Sequence, residues 1–293
     1  MKVGFIAIMG RPNVGKSTLL NALLSKKISI VSRKAQTTRD NILGILNEPG
    51  VQMVFVDTPG IYMGPEALDR HMRSQAFSSS KDAEVLLYLI DAGIENLEKD
   101  IAILSSIKTE SKIFLVLNKI DLINPEKAMQ EKEELSKSFP DFPIIEASFL
   151  ENFGIKEIKQ AILPYLVEAE PFFPEGMITD KDKSYQAKEV IRQELLHFLK
   201  QEIPHQAAVK INSIDFIDGG YKISATIAVE KDSHKAIVIG KGGTMIKKIS
   251  MAARHELERM WHQHITVLTV DVIALPNWRN DPKALLEFGY GDE

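Results

Sequence analysis

The feature that most constrains this chain is the string G-R-P-N-V-G-K-S at residues 10–17. An apolar run at residues 3–9 precedes it and predicts a buried strand, and residues 18–24 are apolar at helical spacing. A strand, a glycine loop and a helix in this order are typical of a phosphate-binding loop, because loop N–H groups and the helix N-terminus converge on one anion. We expect Lys16 to reach the phosphate oxygens and Ser17 to be a ligand of Mg²⁺.

Two further segments predict the rest of a metal and phosphate site. A second apolar run ends in D-T-P-G at residues 57–60, which places Asp57 beside the metal and the Gly60 N–H near the γ-phosphate. The polar string Q-T-T-R at residues 36–39 lies between the two motifs along the chain. A threonine hydroxyl there, which we assign to Thr38, would complete the Mg²⁺ shell.

A fourth string, N-K-I-D at residues 118–121, predicts which base is bound. The carboxylate of Asp121 can accept from both N1–H and the exocyclic amine of guanine, whereas adenine does not present this donor pair. Lys119 would lie over the base plane, and Asn118 would brace the loop. One such motif alone could be accidental, but all four in this order predict a guanine-nucleotide switch domain.

The motifs define the expected nucleotide site residue by residue. The expected nucleotide contacts are Gly10, Arg11, Pro12, Asn13, Val14, Gly15, Lys16, Ser17, Thr18, Asp57, Thr58, Pro59, Gly60, Asn118, Lys119 and Asp121. The expected magnesium ligands are Ser17, Thr38 and Asp57, and the residues expected to act in hydrolysis are Lys16, Thr38 and Asn13. Ile61 follows D-T-P-G and cannot orient a water molecule as a glutamine would, so turnover should be slow, on the order of 10⁻⁴ s⁻¹.

Composition limits the class of protein. The 293 residues are enough for two domains with separate cores, and the absence of cysteine excludes disulfides and thiolate metal sites. The longest apolar runs, residues 85–90 and 113–117, are far too short to span a bilayer. The N-terminal apolar run leads directly into the phosphate loop without a signal-cleavage site. We therefore expect a cytoplasmic protein.

The pattern along the chain predicts two domains. Short apolar strands alternate with helical stretches over residues 1–168, which predicts an α/β domain with a mostly parallel sheet and helices on both faces. Prolines and a glycine then interrupt the periodicity, and we assign residues 169–180 to a linker. Residues 181–293 predict a smaller α+β domain with the order α-β-β-α-α-β, beginning with a helix over residues 187–201.

A second candidate site lies in this smaller domain. The string G-K-G-G at residues 240–243 lies between two helical segments, the arrangement of a KH module, whose G-x-x-G loop clamps about four nucleotides of single-stranded nucleic acid. Residues 231–260 carry seven basic and three acidic residues, although the whole chain has a net charge of −4. The expected RNA contacts in this region are Ile239, Gly240, Lys241, Gly242, Gly243, Ile246, Lys247 and Lys248. An ordinary inter-helix turn is the alternative.

This chain resembles the Era GTPases over essentially its whole length. Three features carry the resemblance: R-P-N-V in the phosphate loop, the Q-T-T-R string, and a C-terminal KH-like module. Residues 29–39 and the tail at residues 278–290 also match that family, and we add Trp278 and Arg279 to the expected RNA contacts. The resemblance implies a type II KH domain, GTP or GDP with Mg²⁺ as ligands, and a monomeric assembly factor. It further implies binding to the 3′ region of 16S ribosomal RNA during maturation of the 30S ribosomal subunit, and peripheral association with the inner membrane.

Two sites in this chain can be compared with the corresponding residues of the family. The family's fifth guanine motif is Ser-Ala, whereas this chain reads E-A-S-F at residues 146–149, so either Ala147 with Ser148 or Ser148 with Phe149 fills it. We therefore include Ser148 and Phe149 among the expected nucleotide contacts. Asn13 resembles the asparagine by which related GTPases hold a potassium ion beside the β- and γ-phosphates, so K⁺ is a further expected cofactor.

Two other functions stay open on the sequence alone. GTP could be a structural ligand and the KH module the whole function, in which case replacing Lys16 would leave cellular function intact. The chain could also be a GTPase that powers modification of tRNA, although no second catalytic constellation follows Gly176. Copurification with 30S precursors rather than with tRNA would separate these possibilities.

Overall fold

The computed structural model of the protein describes residues 1–32, 34, 37–61, 64–93, 97–200 and 202–290. The chain divides into two compact units. The first comprises Met1–Met63 and Met72–Asp180, and the second comprises Gly64–His71 and Lys181–Glu293. The short segment that follows the D-T-P-G string therefore groups with the C-terminal part of the chain, an arrangement that sequence reasoning did not anticipate.

The first part of the chain alternates strands and helices. The strands are β1 (Lys2–Gly10), β2 (Ile42–Glu48), β3 (Val51–Asp57), β4 (Val85–Asp91), β5 (Lys112–Asn118), β6 (Ile144–Ala147) and β7 (Val167–Glu168). The helices are α1 (Lys16–Leu24), α2 (Ala67–Ser79), α3 (Glu98–Ser106), α4 (Pro125–Ser138) and α5 (Ile155–Ile162). The sheet order is β2-β3-β1-β4-β5-β6, and β7 pairs with β1.

The predicted mostly parallel sheet with helices on both faces is confirmed. β1 pairs in parallel with β3 and β4, and β4, β5 and β6 continue in parallel, whereas β2 and β7 are antiparallel to their neighbours. Ala7 and Met9 share one core with residues of α2, α3 and α4. Ile6 and Ile8 are equally buried, and because alternate residues of a strand point to opposite faces, the other face of the sheet is covered too.

Strand register decides where the motifs meet. Ile8 of β1 lies opposite Asp57 of β3, and Asn118 of β5 lies opposite both Asp91 of β4 and Ala147 of β6. The carboxyl ends of the parallel strands therefore lie along one edge of the sheet. This edge is where ligands bind in open α/β sheets.

The segment predicted as a linker, residues 169–180, belongs to the first unit and is bonded to its strands. The N–H of Ile45 donates to the carbonyl of Ile178 at 2.9 Å. The side chain of Gln52 donates to the carbonyl of Phe173 at 2.9 Å and accepts from its N–H at 3.0 Å. The first bond satisfies a main-chain group of the edge strand β2, and all three hold the segment to the sheet.

The second unit has the predicted order α-β-β-α-α-β. Its elements are α6 (Lys183–Phe198), β8 (Ala207–Ile217), β9 (Gly220–Val229), α7 (Asp232–Ile239), α8 (Thr244–Trp261), β10 (Ile265–Ala274) and α9 (Pro282–Glu287). The sheet order is β10-β9-β8, with β8 antiparallel and β10 parallel to β9. Asp218 and Gly219 turn the β8–β9 hairpin with φ of +53° and +78°, the positive values that a two-residue hairpin turn requires.

Candidate nucleotide and RNA sites

Two glycines of the phosphate loop adopt backbone conformations that only glycine enters easily. Gly10 has φ +145° and Gly15 has φ +106°. A Cβ at Gly10 would collide with the carbonyl of Leu89, and a Cβ at Gly15 would collide with the side chain of Asn118. The loop is thus pressed against the ends of β4 and β5, with its main chain free of side chains where a phosphate would approach.

Lys16 is buried at the start of α1 and bonds to the loop itself. Its Nζ donates to the carbonyl of Gly10 at 3.2 Å and to that of Arg11 at 2.9 Å. Burial lowers the pKa of Lys16 to about 8, and the negative charge of Asp57 opposes this shift. A phosphate beside Lys16 would oppose it further, because an anion favours the charged ammonium. The ammonium group is therefore already positioned at the loop that would hold the phosphates.

The three residues expected to bind magnesium lie together. Ser17 Oγ donates to Asp57 Oδ2 at 2.7 Å, and Ser17 Oγ lies 2.9 Å from Thr38 Oγ1. Among the described residues, Oδ1 of Asp57 is buried without a hydrogen-bond partner. Mg²⁺ binds to oxygen ligands such as hydroxyls and carboxylates. A buried oxygen without a hydrogen-bond partner would be satisfied by a cation or by its bound water. The residues fit magnesium.

The neighbourhood of Asp57 affects its charge. Burial raises the pKa of Asp57, while Lys16 and the hydroxyls that donate to it act in the opposite direction. A divalent cation would add to this opposing effect, because a positive charge favours the carboxylate. Of the Q-T-T-R string, Gln36 lies outside the described residues, and so do the neighbouring Arg33 and Ala35.

The D-T-P-G string packs against the phosphate loop. A Cβ at Gly60 would lie 2.9 Å from the main chain of Pro12, so glycine is needed at this close approach. Thr58 Oγ1 donates to the carbonyl of Ile8 at 2.8 Å, and Pro59 is buried. Ile61 is buried and carries no polar side-chain atom. The structure thus places an apolar group where a water-orienting side chain would be needed.

Asn118 joins three loops of the base site. Its Nδ2 donates to the carbonyl of Val14 at 2.8 Å, and its Oδ1 accepts from the N–H of Phe149 at 3.2 Å. The N–H of Ser148 donates to the carbonyl of Phe153 at 3.2 Å. Within the described part of the chain, the buried hydroxyl of Ser148 has no partner. The N–H groups of Ser148 and Phe149 thus bond within the protein, whereas the Ser148 hydroxyl is a polar group still available there.

Lys119 and Asp121 follow β5 directly. Lys119 adopts φ +68° and its Nζ pairs with Oδ2 of Asp91, the last residue of β4, at 2.5 Å. Asp121 is exposed on the turn beyond. Sequence reasoning missed Asp91, although its position at the end of a parallel strand next to β5 is a signal that would have found it.

Arg11 of the phosphate loop forms an ion pair with a residue of α3. Its Nη1 pairs at 3.2 Å with Oδ2 of Asp100, a fully buried residue of α3. Tyr88 donates its hydroxyl to the other oxygen of Asp100 at 3.1 Å. Burial raises the pKa of Asp100, and Arg11 opposes that shift. Because the guanidinium of Arg11 is paired with Asp100, its expected contact with the nucleotide would be made by its main chain. Thr18, in the first turn of α1, is partly exposed.

The G-K-G-G string connects α7 to α8 through three left-handed glycines. Gly240, Gly242 and Gly243 have φ of +74°, +59° and +78°. No described atom lies within 4 Å of the position that a Cβ would take at Gly242 or Gly243. The loop therefore presents bare main chain to open space at the N-terminus of α8, which suits an approaching phosphate.

Charge around this loop is uneven. Lys241, Lys247 and Lys248 are exposed, and within the described ranges none of them has a carboxylate partner. Farther along α8, Arg254 pairs with Glu258 at 3.5 Å and Arg259 pairs with Glu256 at 2.7 Å. The net positive charge of residues 231–260 is thus concentrated at the loop. Ile239 and Ile246 are partly buried on either side of it.

The two tail residues expected to contact RNA differ in their exposure. Trp278 is fully buried, and its Nε1 donates to the carbonyl of Gln206 at 2.9 Å. Arg279 pairs with Glu230 at 3.1 Å. Because the indole is enclosed, we correct the expectation for Trp278: its side chain stabilises this unit. Arg279 is partly exposed and stays a predicted RNA contact.

Comparison with known proteins finds two families that match this chain. The family described as 50S ribosome-binding GTPase matches residues 5–119, and the KH domain family matches residues 202–274. A GTPase Era from Clostridium kluyveri is 43% identical over 292 residues, covering 99% of each chain. A GTPase Era from Fusobacterium nucleatum is 40% identical and covers 100% of each chain.

Two solved structures are similar over the full length of both chains. A crystal structure of Era in complex with MgGDPNP and nucleotides 1506–1542 of 16S ribosomal RNA has a TM-score of 0.95 at 39% identity. A variant of Aquifex aeolicus Era bound to GDP and aluminium fluoride has a TM-score of 0.95 at 38% identity. Sequence identity of this extent, together with the guanine motifs and the G-x-x-G loop, establishes that the chain belongs to the Era family of GTPases.

Proposed function

We propose that this chain is a GTP-hydrolysing switch that binds 16S ribosomal RNA through its KH domain during assembly of the 30S subunit. The observation that carries the proposal is the presence of two built sites in one chain. The first is the cluster of Lys16, Ser17 and Asp57 at the sheet edge, and the second is the open glycine loop with its exposed lysines. An Era structure that holds both MgGDPNP and a 16S fragment supports this pairing.

The chemistry of the first site follows from its residues. Magnesium, when bound, supplies positive charge to the phosphates, and Ser17, Thr38 and Asp57 would hold it. Lys16 would neutralise charge that develops on the phosphate oxygens. We infer that residues 30–40 and 57–75 respond to the γ-phosphate as switch segments. Because Ile61 cannot orient water, intrinsic hydrolysis is slow and leaves time for the GTP form to act.

Crosslinking in cells followed by sequencing of the bound RNA tests the proposal. We expect reads from the 3′ region of 16S ribosomal RNA and copurification with 30S precursors. Reads dominated by tRNA would instead favour a tRNA-modifying GTPase. If replacement of Lys16 by alanine leaves cellular function intact, GTP is a structural ligand and the switch proposal is wrong.

We expect GTP hydrolysis to be faster in potassium than in sodium at equal ionic strength. Asn13 is exposed in the phosphate loop, where its side-chain oxygen would hold a potassium ion beside the phosphates. Such a cation would neutralise transition-state charge, as an arginine finger does. Phosphate release measured in the two salts checks this, and the difference should vanish in Asn13→Ala. Equal wild-type rates would contradict the potassium site.

We expect Lys247→Ala and Lys248→Ala to weaken RNA binding modestly for all sequences. Each exposed lysine would contact a phosphate, so each loss should flatten the log–log salt dependence by about 0.7 per contact. Titrations at several salt concentrations measure the slope. Lys156→Ala is the control, because Lys156 is exposed on α5 of the other unit. An unchanged slope in both loop variants would remove these lysines from the RNA surface.

Cellular location and oligomeric state form a finer part of the proposal. We infer a monomer in the cytoplasm, with peripheral association at the inner membrane, from the resemblance to the family. Across the described residues, no helix has both the length and the apolar character needed to cross a membrane. Sedimentation equilibrium tests the monomer, and flotation of cell extracts with and without high salt tests the peripheral association.

A further inference from the structure

Ser29 is a fully buried serine that belongs to none of the guanine-nucleotide motifs. It lies between the end of α1 and β2, and its hydroxyl donates to Oδ2 of Asp57 at 2.9 Å. A hydroxyl that is fully buried and bonded to a carboxylate at a metal site is a candidate for a positioning role. Ser29 would act on the metal through Asp57.

One side chain fixes the main chain of Ser29. Oδ1 of Asn21 accepts from the N–H of Ile28 at 2.9 Å and from the N–H of Ser29 at 3.0 Å. Nδ2 of Asn21 donates to the carbonyl of Ser29 at 2.8 Å. The main chain of Ser29 therefore cannot shift away from Asp57 without breaking the two bonds that join it to Asn21.

The bonds also tie Ser29 to the helix that carries a metal ligand. Asn21 lies four residues after Ser17 on α1, so the two side chains emerge on the same face of the helix, one turn apart. Ser17 donates to the same oxygen of Asp57 that accepts from Ser29. Helix α1 thus holds Asp57 by two routes. Ser17 bonds to it directly, and Asn21 acts on it through Ser29.

The two hydrogen bonds to Oδ2 of Asp57 leave its other oxygen, Oδ1, available for a metal ion. With both hydroxyls on Oδ2, the carboxylate is held in one orientation, and among the described residues its Oδ1 is left buried and unpartnered. Ser17 is itself an expected magnesium ligand, so its oxygen serves two groups. The hydroxyl of Ser29 has Asp57 as its dedicated partner and would keep the carboxylate oriented when Ser17 binds the metal.

We propose that Ser29, held by Asn21, is a positioning residue that orients Asp57 so that its free oxygen serves the bound magnesium. The proposal rests on the proposed nucleotide function. It assigns a role to a residue outside the G-x-x-x-x-G-K-S, Q-T-T-R, D-x-x-G and N-K-x-D strings. Loss of a hydrogen bond that orients a metal ligand commonly costs about 10- to 100-fold in metal affinity.

The test measures release of a fluorescent GDP analogue from the full-length protein as Mg²⁺ is varied. In Ser29→Ala we expect the Mg²⁺ concentration that half-maximally slows release to rise by about tenfold. Affinity for the analogue in EDTA should equal that of the wild type, because no group expected to contact the nucleotide has changed. Ser29→Cys keeps a similar volume with a weaker donor, so its midpoint should fall between those of the wild type and the alanine variant.

Ser80→Ala is the matched control. Ser80 is also buried in the first unit and donates its hydroxyl, at 2.8 Å, to the carbonyl of Phe77. The Mg²⁺ concentration that half-maximally slows release from Ser80→Ala should equal the wild-type value. Unshifted midpoints in both Ser29 variants, or an equal loss of affinity with and without Mg²⁺, would overturn the positioning role alone. Wild-type GDP release that ignores Mg²⁺ would overturn the magnesium part of the proposed function as well.

Discussion

Gly243→Asp is expected to abolish binding of 16S ribosomal RNA and to leave the affinity for GDP at the wild-type level. Gly243 precedes α8, and no described atom lies within 4 Å of the position of a Cβ there. The new carboxylate would occupy the space through which a sugar–phosphate backbone approaches, and its charge would repel that backbone. Fluorescence anisotropy with a labelled RNA from the 16S 3′ region measures the loss, with GDP binding measured in parallel.

Two controls separate charge from backbone strain, because φ of +78° disfavours any residue with a Cβ. Asparagine tolerates the left-handed region about as well as aspartate does, so Gly243→Asn adds similar volume and strain without charge. It should retain more RNA binding than Gly243→Asp. Gly219 has the same φ of +78° and equally open surroundings in the β8–β9 turn, so Gly219→Asp should bind RNA normally. A folded Gly243→Asp protein with normal RNA binding would favour the ordinary inter-helix turn.

Asp121→Asn should lower the affinity for GTP by on the order of 10⁴-fold and create affinity for XTP. The carboxylate of Asp121 is expected to accept from two N–H groups of guanine, and the amide of asparagine must place its own donor against one of them. Xanthine has a carbonyl where guanine has its exocyclic amine, so the amide donor then finds an acceptor. Competition between GTP and XTP for a fluorescent nucleotide measures the change.

Asp141→Asn is the matched control for this substitution. Asp141 is exposed between α4 and β6, so the variant carries the same change of charge outside the base site. It should keep the wild-type preference for GTP. An Asp121→Asn protein that binds GTP as tightly as the wild type and ignores XTP would show that the base is read by other groups. The buried hydroxyl of Ser148 would then be the next candidate.

Several elements were predictable because their signals are local. The order α-β-β-α-α-β of residues 181–293 follows from apolar periodicity between clear breaks, and its last helix and strand are Thr244–Trp261 and Ile265–Ala274. The first helix of the second unit was predicted over residues 187–201 but spans Lys183–Phe198. The reason is its cap, since the side chain of Asp182 accepts from the N–H of Tyr185 at 2.7 Å and starts the helix earlier.

The guanine-nucleotide motifs and the G-x-x-G loop could be predicted from the sequence alone, because each consists of consecutive residues at the end of a predicted strand or the start of a predicted helix. The side chains that support these motifs from distant parts of the chain become visible only in the folded structure. Ser29 reaches Asp57 across 28 residues, and Arg11 reaches Asp100 across 89. Pairs of this kind have no characteristic spacing along the sequence, because strand register and helix packing bring them together. The same packing encloses Trp278, which the sequence alone could not distinguish from an exposed, RNA-binding aromatic residue.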